Sequence, residues 1–356
     1  MLLPFSSDYM EGAHPDVMQA LIETNLVSCP GYGADPFSEE ARNKIRLVCK
    51  APNAGVWFLG GGTQTNALTI RSLLRPWQGV IAADTGHISL HEAGAIEAGG
   101  HKVMTVPGTE GKLDAESVQA LCARYFADEN REHMPAPGMV YLSFPTEYGT
   151  LYSLHELEAI RDVCDRFGLY LYADGARLAY ALAAKENDVT LPDLARLCHA
   201  FYIGGTKCGT LFGEALVVPD PSVLPHFFTL IKQNGALFAK GKVAGVQFGA
   251  LFSDDLYLKI GENGVRQAGR IRAALDAFGI LQPIRSPTNQ VFAVFTDRQL
   301  KKLAESVSYS YWEPYGSGRS VVRLAASWAT ESETVHKLTE VLQTVSQKGE
   351  TDGRTQ

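Results

Sequence analysis

Short apolar runs alternate with amphipathic segments through much of this chain. The apolar runs, between about residues 53 and 220, include VIAAD, KVMTV, GMVYLSF, LYLYAD, AFYIGG and EALVVPD. Between them, residues 114–127 and 153–167 each begin with an Asp or Ser that can cap a helix, and they carry apolar residues at three- and four-residue spacing. Because helices that connect strands are typical of parallel sheets, the pattern predicts an α/β fold with a mostly parallel sheet covered by helices.

The pattern changes after about residue 234. A stretch rich in small residues over 234–252 is expected to be helical, and a further helix is expected over 262–278. The segments IRSPTNQVFAVF and YWEPYGSGRSVVRLAASW then have the pattern of strands joined by turns. Since 356 residues exceed the size at which one core usually keeps growing, we expect a large domain over 1–245 and a smaller α+β domain over 246–356. The final residues, QKGETDGRTQ, are expected to be disordered.

Composition and charge exclude several classes of protein. Hydrophobic residues make up 46% and charged residues 20% of the chain, as in ordinary globular proteins. The net charge of -7, without a long run of Lys and Arg, argues against nucleic acid as a partner. The N-terminus lacks the features of a signal peptide, and no apolar run reaches the roughly 18 residues that a transmembrane helix needs. We therefore expect a cytoplasmic protein with no membrane partner.

The six cysteines are scattered along the chain and form no CxxC pair. A chain of this size does not need disulfides to stabilise its core, so the thiols are expected to be reduced. Their spacing does not indicate a zinc site.

A glycine-rich turn follows the apolar stretch that ends near residue 59. Gly60, Gly61 and Gly62 precede Thr63 and Gln64, and an apolar helical segment comes next. Such a turn can hold a phosphate, because glycines allow close backbone approach and the first amides of a helix attract an anion. The alternative is a strand-to-helix turn with no ligand. The segment matches neither a Walker loop nor a dinucleotide fingerprint.

Asp174 and Lys207 follow two of the predicted strands. Asp174 ends LYLYAD, and the carboxyl ends of parallel strands are where α/β folds place ligands. A carboxylate there can pair with a protonated pyridine nitrogen, while Asp-Gly is also a common turn. Lys207 follows AFYI and a Gly-Gly-Thr turn, among apolar residues and glycines. A desolvated lysine can form an imine with an aldehyde, whereas a surface lysine is the plainer alternative.

The segment TGHISLHEAGA contains two histidines four residues apart. His87 and His91 could lie on one helix face as metal ligands, with Glu92 completing the site. However, HISLHE is not the HExxH of zinc hydrolases, and no third ligand motif stands out. An imidazole stacked on a cofactor ring is the competing interpretation, and a core or capping histidine is the plain one for His91.

Taken in order, these segments resemble the L-threonine aldolase and β-eliminating lyase family of fold-type-I enzymes that use pyridoxal 5'-phosphate (PLP). The resemblance extends from Ser7 to about Arg323 and includes SSDYMEGAHP, GYGADPFSEEARNKI, GGTQTNAL, HISLHEAGA, DGARL and GGTKCG. It implies a PLP-binding, transferase-like large domain and a small-molecule amino acid as substrate. It also implies a homodimer or homotetramer with active sites at the subunit interface.

The resemblance implies a role for each matching residue. Lys207 would carry PLP as a Schiff base, Asp174 would pair with the pyridine nitrogen, and His87 would stack on the ring. The other cofactor-binding residues would be Gly62, Thr63, Gln64, Arg177 and Lys242, the last reaching the phosphate across the subunit interface. The substrate-binding residues would be Ser7, Arg177, Asn289 and Arg323. Arg323 is the best candidate for the substrate carboxylate, because guanidinium binds it bidentately, and an internal ion pair is its alternative.

One position departs from the threonine aldolase pattern. The segment SFPTEYGTLYSL has Glu147 where that family places a histidine near the substrate hydroxyl. A carboxylate with a pKa raised by burial could still accept the hydroxyl proton, and a water held by His87 is the alternative base.

The expected reaction is the cleavage of a β-hydroxy-α-amino acid, such as threonine, allo-threonine or phenylserine, to glycine and an aldehyde. β-Elimination from another amino acid is the alternative, since both reactions start from the same cofactor-bound substrate. A metal-dependent hydrolase built on His87 and His91 would leave Lys207 unexplained. A non-catalytic PLP-binding protein would leave the arginines unexplained.

Overall fold

The structure, a computed structural model that describes residues 2–346, has one sheet of seven strands, one of three strands and one of two strands. The strands are β1 (Leu3–Pro4), β2 (Gly55–Leu59), β3 (Gln78–Ala83), β4 (Val103–Val106), β5 (Ala136–Ser143), β6 (Tyr170–Asp174), β7 (Ala200–Gly204), β8 (Glu214–Val218), β9 (Gln290–Thr296), β10 (Val307–Ser308), β11 (Ser310–Pro314) and β12 (Arg319–Ala325). The helices are α1 (Pro15–Thr24), α2 (Pro36–Val48), α3 (Gly62–Leu73), α4 (His87–Leu90), α5 (Ala95–Ala98), α6 (Ala115–Ala127), α7 (Leu154–Phe167), α8 (Leu178–Leu182), α9 (Leu191–Leu197), α10 (Phe227–Gln233), α11 (Lys242–Leu251), α12 (Leu256–Ala277), α13 (Asp297–Leu303) and α14 (Ser332–Ser346).

The large sheet has the strand order β2-β8-β7-β6-β5-β3-β4. Strands β4, β3, β5, β6 and β7 pair in parallel, whereas β8 is antiparallel to both β7 and β2. The predicted α/β class and the mostly parallel sheet are therefore confirmed. Because the parallel strands share a direction, the segments that follow β3, β5, β6 and β7 emerge at one edge of the sheet.

The two crossover helices predicted most directly from the sequence form as expected. Asp114 caps α6 by accepting a hydrogen bond from the Ser117 amide at 2.7 Å. Ser153 and Glu156 form a reciprocal capping box at the start of α7, and Gly168 ends that helix in the left-handed conformation. The ends of these helices were thus readable from local sequence.

Two helices of the second half differ from their expected ranges. Helix α11 occupies only Lys242–Leu251, because Gly235, whose φ is positive, follows the end of the separate helix α10. Helix α12 begins at Leu256, before the expected residue 262, since Leu256 and Tyr257 are buried in the core of the large sheet. Burial of its first turn against another element extends this helix beyond what its own pattern predicted.

The antiparallel sheet β11-β12-β9 packs with α12, α13 and α14 around a second core. The N-terminal segment joins this part of the molecule, since β1 pairs in parallel with β10 and Phe5 is fully buried there. The domain division at residue 245 remains a prediction. QKGETDGRTQ lies outside the described residues.

No helix within residues 2–346 combines the length and the apolar character needed to cross a membrane. All six cysteines lie in that range and are unpaired, and five of them are buried.

Candidate active site

A cleft of about 490 Å³ separates the carboxyl edge of the large sheet from the antiparallel sheet. The large-sheet side and the N-terminal segment contribute Tyr9, Thr85, His87, Leu90, His91, Glu147, Tyr148, Arg177 and Lys207. Strands β11 and β12 contribute Ser310, Tyr311, Trp312, Glu313 and Arg323. The cleft therefore brings together six of the residues that the sequence analysis singled out, namely His87, His91, Glu147, Arg177, Lys207 and Arg323.

Lys207 lies on the turn between β7 and β8, which several hydrogen bonds hold in place. The Gly205 amide and the Thr206 hydroxyl donate to the two oxygens of Glu214, at 2.9 and 2.8 Å. The Tyr180 hydroxyl donates to the Lys207 carbonyl at 2.7 Å. These bonds involve the backbone and neighbours of Lys207 and leave its amine free to point into the cleft.

Burial lowers the pKa of Lys207, and the charge of Arg177 lowers it further. The negative charges of Asp8, Asp174 and Glu214 oppose this effect without reversing it. A larger fraction of the amine is therefore neutral than for an exposed lysine. A neutral amine is the form that attacks a carbonyl carbon.

Asp174, at the end of β6, is buried among hydrogen-bond donors. Its Oδ2 accepts from the Tyr141 hydroxyl at 2.6 Å and from Asn66 Nδ2 at 2.9 Å. Its Oδ1 accepts from the Tyr202 hydroxyl and from the Ala176 amide. This arrangement suits a carboxylate rather than a protonated acid.

Burial alone would raise the pKa of Asp174, but the nearby His87 ring and the hydrogen bonds that Asp174 accepts from its neighbours lower it below the ordinary value. Asp174 therefore keeps a negative charge in an enclosed position. Such a charge can stabilise a protonated ring nitrogen.

His87 begins helix α4 and lies beside the cleft. Its Nδ1 is 2.8 Å from Glu92 Oε1, and its ring centroid is 5.6 Å from that of His91. The group of potential metal ligands here is His87, Glu92 and Asp174, whose nearest ligand atoms lie within 4.8 Å of one another, and His91 contributes no atom to it. The structure therefore does not form the His87–His91 pair that the metal interpretation required.

Glu147, on the segment after β5, is buried at the wall of the cleft. Its Oε1 accepts hydrogen bonds from the His87 amide, at 2.7 Å, and from the Ser143 hydroxyl. Burial raises the pKa of Glu147 above its ordinary value, although the hydrogen bond from Ser143 opposes the shift. In the part of the chain that the structure describes, both hydrogen bonds go to Oε1, so Oε2 is the oxygen left for a ligand.

Arg323 on β12 is anchored by neutral partners. Its Nη1 donates to Gln290 Oε1 at 3.0 Å, and its Nη2 donates to the Ser6 carbonyl at 3.1 Å. Its guanidinium carbon lies 5.4 Å from the centre of the Trp312 ring. Its Nε is buried with no hydrogen-bond partner among residues 2–346. Burial lowers the pKa of Arg323 to about 10.

The internal ion pair that was the alternative for Arg323 does not form among the described residues, where its partners are an amide oxygen, a carbonyl and a hydroxyl. A buried cation without a counter-ion is costly, and an incoming carboxylate relieves that cost.

Arg177 has a partner that the sequence analysis missed. Its Nε and Nη2 donate to the two oxygens of Asp8 at 2.7 and 2.9 Å. Burial would raise the pKa of Asp8, but the charges of Arg177 and Lys207 lower it to about 2. Asn289 is fully buried and donates to Asp8 at 2.8 Å. Asn289 is thus linked to the cleft indirectly, by its hydrogen bond to Asp8, which pairs with Arg177. Direct contact of Asn289 with the substrate remains a prediction.

Ser7 lies between two residues with partners at the site. The Ser6 carbonyl accepts from Arg323, and Asp8 pairs with Arg177. Ser7 is half-buried, and its contact with substrate remains a prediction.

The N-terminus of α3 carries the three residues predicted to bind phosphate. Its N-cap residue is Gly61, which has no side chain to cap the helix. Gln64 Oε1 accepts a hydrogen bond from the Gly60 amide at 3.0 Å. A Cβ at Gly62 would lie 3.1 Å from the Tyr202 hydroxyl, which itself donates to Asp174. Gly62, Thr63 and Gln64 are therefore close to the Asp174 side of the site, and their binding to phosphate remains a prediction.

Lys242 begins α11 and caps the end of another helix. Its ammonium donates to the carbonyls of Thr24 and Val27 at 2.9 and 2.6 Å. That Lys242 reaches the cofactor phosphate across a subunit interface remains a prediction.

The sequence analysis also missed a group of aromatic side chains that forms one wall of the cleft. Trp312 lies 5.6 Å from Tyr148, 5.0 Å from Phe292 and 6.1 Å from His91, measured between ring centroids. Tyr9 lies across the cleft, with its ring 5.8 Å from Lys207 Nζ. The sequence showed the segment of Trp312 as a strand, but which element that strand would face was not readable from its pattern.

Comparisons with known proteins agree with this geometry. A family model described as beta-eliminating lyase matches residues 5–298. The chain is 28% identical to the low specificity L-threonine aldolase of Pseudomonas aeruginosa, over 94% of this chain and 95% of that protein. It is 41% identical to a solved Leishmania major threonine aldolase, with a TM-score of 0.93, covering 97% of this chain and 99% of the other. A Thermus thermophilus aspartate aminotransferase, at 16% identity and a TM-score of 0.69 over 97% of this chain and 96% of the other, shares the fold, which confirms the fold-type-I assignment.

Proposed function

The chain belongs to the beta-eliminating lyase family, and from that premise we propose that it is a PLP-dependent aldolase that cleaves β-hydroxy-α-amino acids to glycine and an aldehyde. The observation that carries the proposal is the convergence of Lys207, His87, Glu147 and Arg323 on one cleft. Together they offer a nucleophilic amine, an aromatic ring, a base and a carboxylate-binding cation.

The residues beside the cleft fit PLP. Lys207 offers an amine with a lowered pKa for the aldehyde, and Asp174 offers a buried, ionised carboxylate for the ring nitrogen. The uncapped N-terminus of α3 offers backbone amides for the phosphate, next to Gly62, where a side chain would approach Tyr202. When bound, PLP supplies an electron-withdrawing ring that accepts the electrons of a broken bond at the substrate α-carbon.

Arg323 would bind the substrate carboxylate. Its guanidinium is buried, lacks a carboxylate partner among the described residues and keeps an unpaired Nε. Trp312 supports its flat face. A carboxylate placed there forms charge-assisted hydrogen bonds and sets which end of the amino acid points toward Lys207.

Glu147 would remove the proton of the β-hydroxyl. The backbone amide of His87 and the hydroxyl of Ser143 hold Oε1, so the carboxylate has one fixed orientation and Oε2 is free to accept the proton. Its raised pKa brings the carboxylate closer to the basicity that this transfer needs. Glu147 can therefore remove the hydroxyl proton at the position where the threonine aldolase pattern has a histidine.

The tested reaction is the release of benzaldehyde and glycine from D,L-threo-phenylserine by the purified protein with added PLP. Aldehyde release, together with a visible absorption band that shifts when glycine is added, would support the proposal. Pyruvate from a β-substituted amino acid, with no aldehyde from any β-hydroxy amino acid, would instead assign β-elimination. No band after PLP addition would overturn the cofactor assignment.

Arg323→Lys is expected to raise KM for phenylserine by about 10- to 100-fold, with a smaller effect on kcat, because an ammonium cannot bind a carboxylate bidentately. The matched control is Arg319→Lys, since Arg319 is an exposed arginine on the same strand and stacks on Tyr315. Steady-state kinetics of both variants test the assignment. An unchanged KM in Arg323→Lys would remove Arg323 from the substrate site.

We also propose a homodimer or homotetramer in the cytoplasm, as the sequence resemblance implies. Exposed apolar side chains support association, among them Ile22 and Leu26 at or just after the first helix, Leu90 at the cleft, and Leu211 between β7 and β8. Active sites formed between subunits would cover such side chains.

A further inference from the structure

Glu92 is a buried carboxylate just after α4, next to the cleft. Its side chain is 0% exposed. Its Oε1 lies 2.8 Å from His87 Nδ1 and accepts a hydrogen bond from Asn66 Nδ2 at 2.7 Å. Its Oε2 is buried without a hydrogen-bond partner in the part of the chain that the structure describes. Burying a carboxylate is costly unless it is hydrogen-bonded or paired, so the contacts of Oε1 with His87 and Asn66 are what offset the cost for Glu92.

Asn66 links Glu92 to Asp174. The Tyr172 hydroxyl donates to Asn66 Oδ1 at 2.8 Å, which fixes the amide so that its nitrogen faces the carboxylates. That nitrogen donates to Glu92 at 2.7 Å and to Asp174 at 2.9 Å. The amide donor therefore lies between the two carboxylates, where a metal ion would have to displace it. The cluster is a hydrogen-bonded chain from His87 through Glu92 and Asn66 to Asp174.

This chain determines the tautomer of His87. Glu92 Oε1 already accepts from Asn66, so it acts as an acceptor, and the shared proton lies on His87 Nδ1. No partner for His87 Nε2 occurs within residues 2–346, which leaves that nitrogen for the cleft. The hydrogen bond also limits rotation of the ring, since Glu92 is itself held by Asn66.

We propose that Glu92 is a positioning residue that holds the His87 ring at one angle and in the Nδ1–H tautomer, and that couples it to Asp174 through Asn66. The inference rests on the proposed function, because His87 lies beside the PLP ring only if PLP binds in this cleft. The role of Glu92 is the one that outer partners of histidine have in metal sites, where they set tautomer and orientation.

Two variants separate this role from simple packing. Glu92→Gln keeps an oxygen that can accept from both His87 and Asn66, so it is expected to keep the Nδ1–H tautomer. Its kcat is expected to change by no more than about 3-fold, which is no more than the loss of one hydrogen bond would cause. Glu92→Leu has a similar volume but no acceptor, and it is expected to lower kcat for phenylserine by about 10- to 100-fold, with a smaller change in KM. Glu97→Gln, a change at a nearby exposed glutamate, is the control.

The deciding measurement is the pair of ¹⁵N chemical shifts of the His87 ring, recorded on the full-length protein before and after PLP is added. The signal is assigned by its loss in His87→Asn. Wild type, Glu92→Gln and Glu97→Gln are expected to show a protonated Nδ1, and Glu92→Leu a mixture of tautomers. Unchanged ¹⁵N chemical shifts of the His87 ring in Glu92→Leu would overturn the proposal. It would also be overturned if Glu92→Gln and Glu92→Leu lost kcat equally and in proportion to their loss of thermal stability.

The two proposals fail in different ways. If wild-type protein cleaves no β-hydroxy amino acid, the proposed function is wrong. The tautomer of His87 in the Glu92 variants, measured without substrate, still decides whether Glu92 positions the ring.

Discussion

Lys207→Ala is expected to lower the rate of benzaldehyde release from phenylserine by roughly 10⁴-fold or more, the range for loss of a nucleophile that bonds covalently during the reaction. The physical reason is that Lys207 supplies the only reaction partner proposed for the PLP aldehyde, at a position where burial lowers the pKa of its amine. The visible band of the bound cofactor is expected to change as well. The measurement is single-turnover and steady-state aldehyde release, with the absorption spectrum of each protein.

The Lys207→Ala variant should fold. The turn that carries Lys207 is held through the Gly205 amide, the Thr206 hydroxyl and the Lys207 carbonyl, all of which the variant keeps. Lys185→Ala, at an exposed lysine, is the control for a general effect of removing a positive charge. Full turnover in Lys207→Ala, with unchanged thermal stability, would show that the central role assigned to Lys207 is wrong.

Glu147→Gln is expected to lower kcat for phenylserine by about 10²- to 10⁴-fold with little change in KM, because glutamine keeps the shape of the side chain but cannot accept the hydroxyl proton. Glutamine can still accept from the His87 amide and from Ser143, so the wall of the cleft should survive. Glu147→His, which places an imidazole base there, is expected to keep more activity than Glu147→Gln. Glu132→Gln, at an exposed glutamate, is the control.

The pH dependence of kcat provides a second readout for Glu147. Only the ionised carboxylate accepts a proton, and burial raises its pKa above the ordinary value for glutamate. Wild-type activity should therefore fall as the pH is lowered through that raised pKa, and this acid limb should disappear in Glu147→Gln. A variant that retained both the wild-type kcat and the wild-type acid limb would assign proton removal to another group.

Local sequence determined the elements and the principal site residues. The Asp and Ser caps of α6 and α7 are satisfied within one turn, so they do not depend on tertiary contacts. Asp174 ends β6 and Lys207 comes shortly after β7, and these two strands are neighbours in the sheet and run in parallel. Because parallel strands present their carboxyl ends at one edge, an apolar run followed by a polar residue was enough to place both at the site.

Contacts between distant segments decided the rest. Asp8 meets Arg177 across 169 positions and Asn289 across 281, and no periodicity or spacing connects such positions in advance. The same holds for Trp312 and Arg323, which reach the cleft only because the antiparallel sheet packs across it. In the sequence, Glu92 stood out only as a possible third ligand of a metal site, and only its hydrogen bonds with Asn66 and His87 show its place in the site.

By itself, the sequence therefore determined the α/β class, the capped helices, and a lysine and an aspartate at the ends of neighbouring strands, since hydrophobic periodicity and capping depend on residues a few positions apart. Only the tertiary structure decided which charges are buried, which of them are paired and which are left for a ligand. Arg177 is neutralised by Asp8, whereas Arg323 has no carboxylate partner among the described residues. The reason is that burial and pairing, which set the pKa of a group and its readiness to bind, are properties of the surroundings that folding assembles.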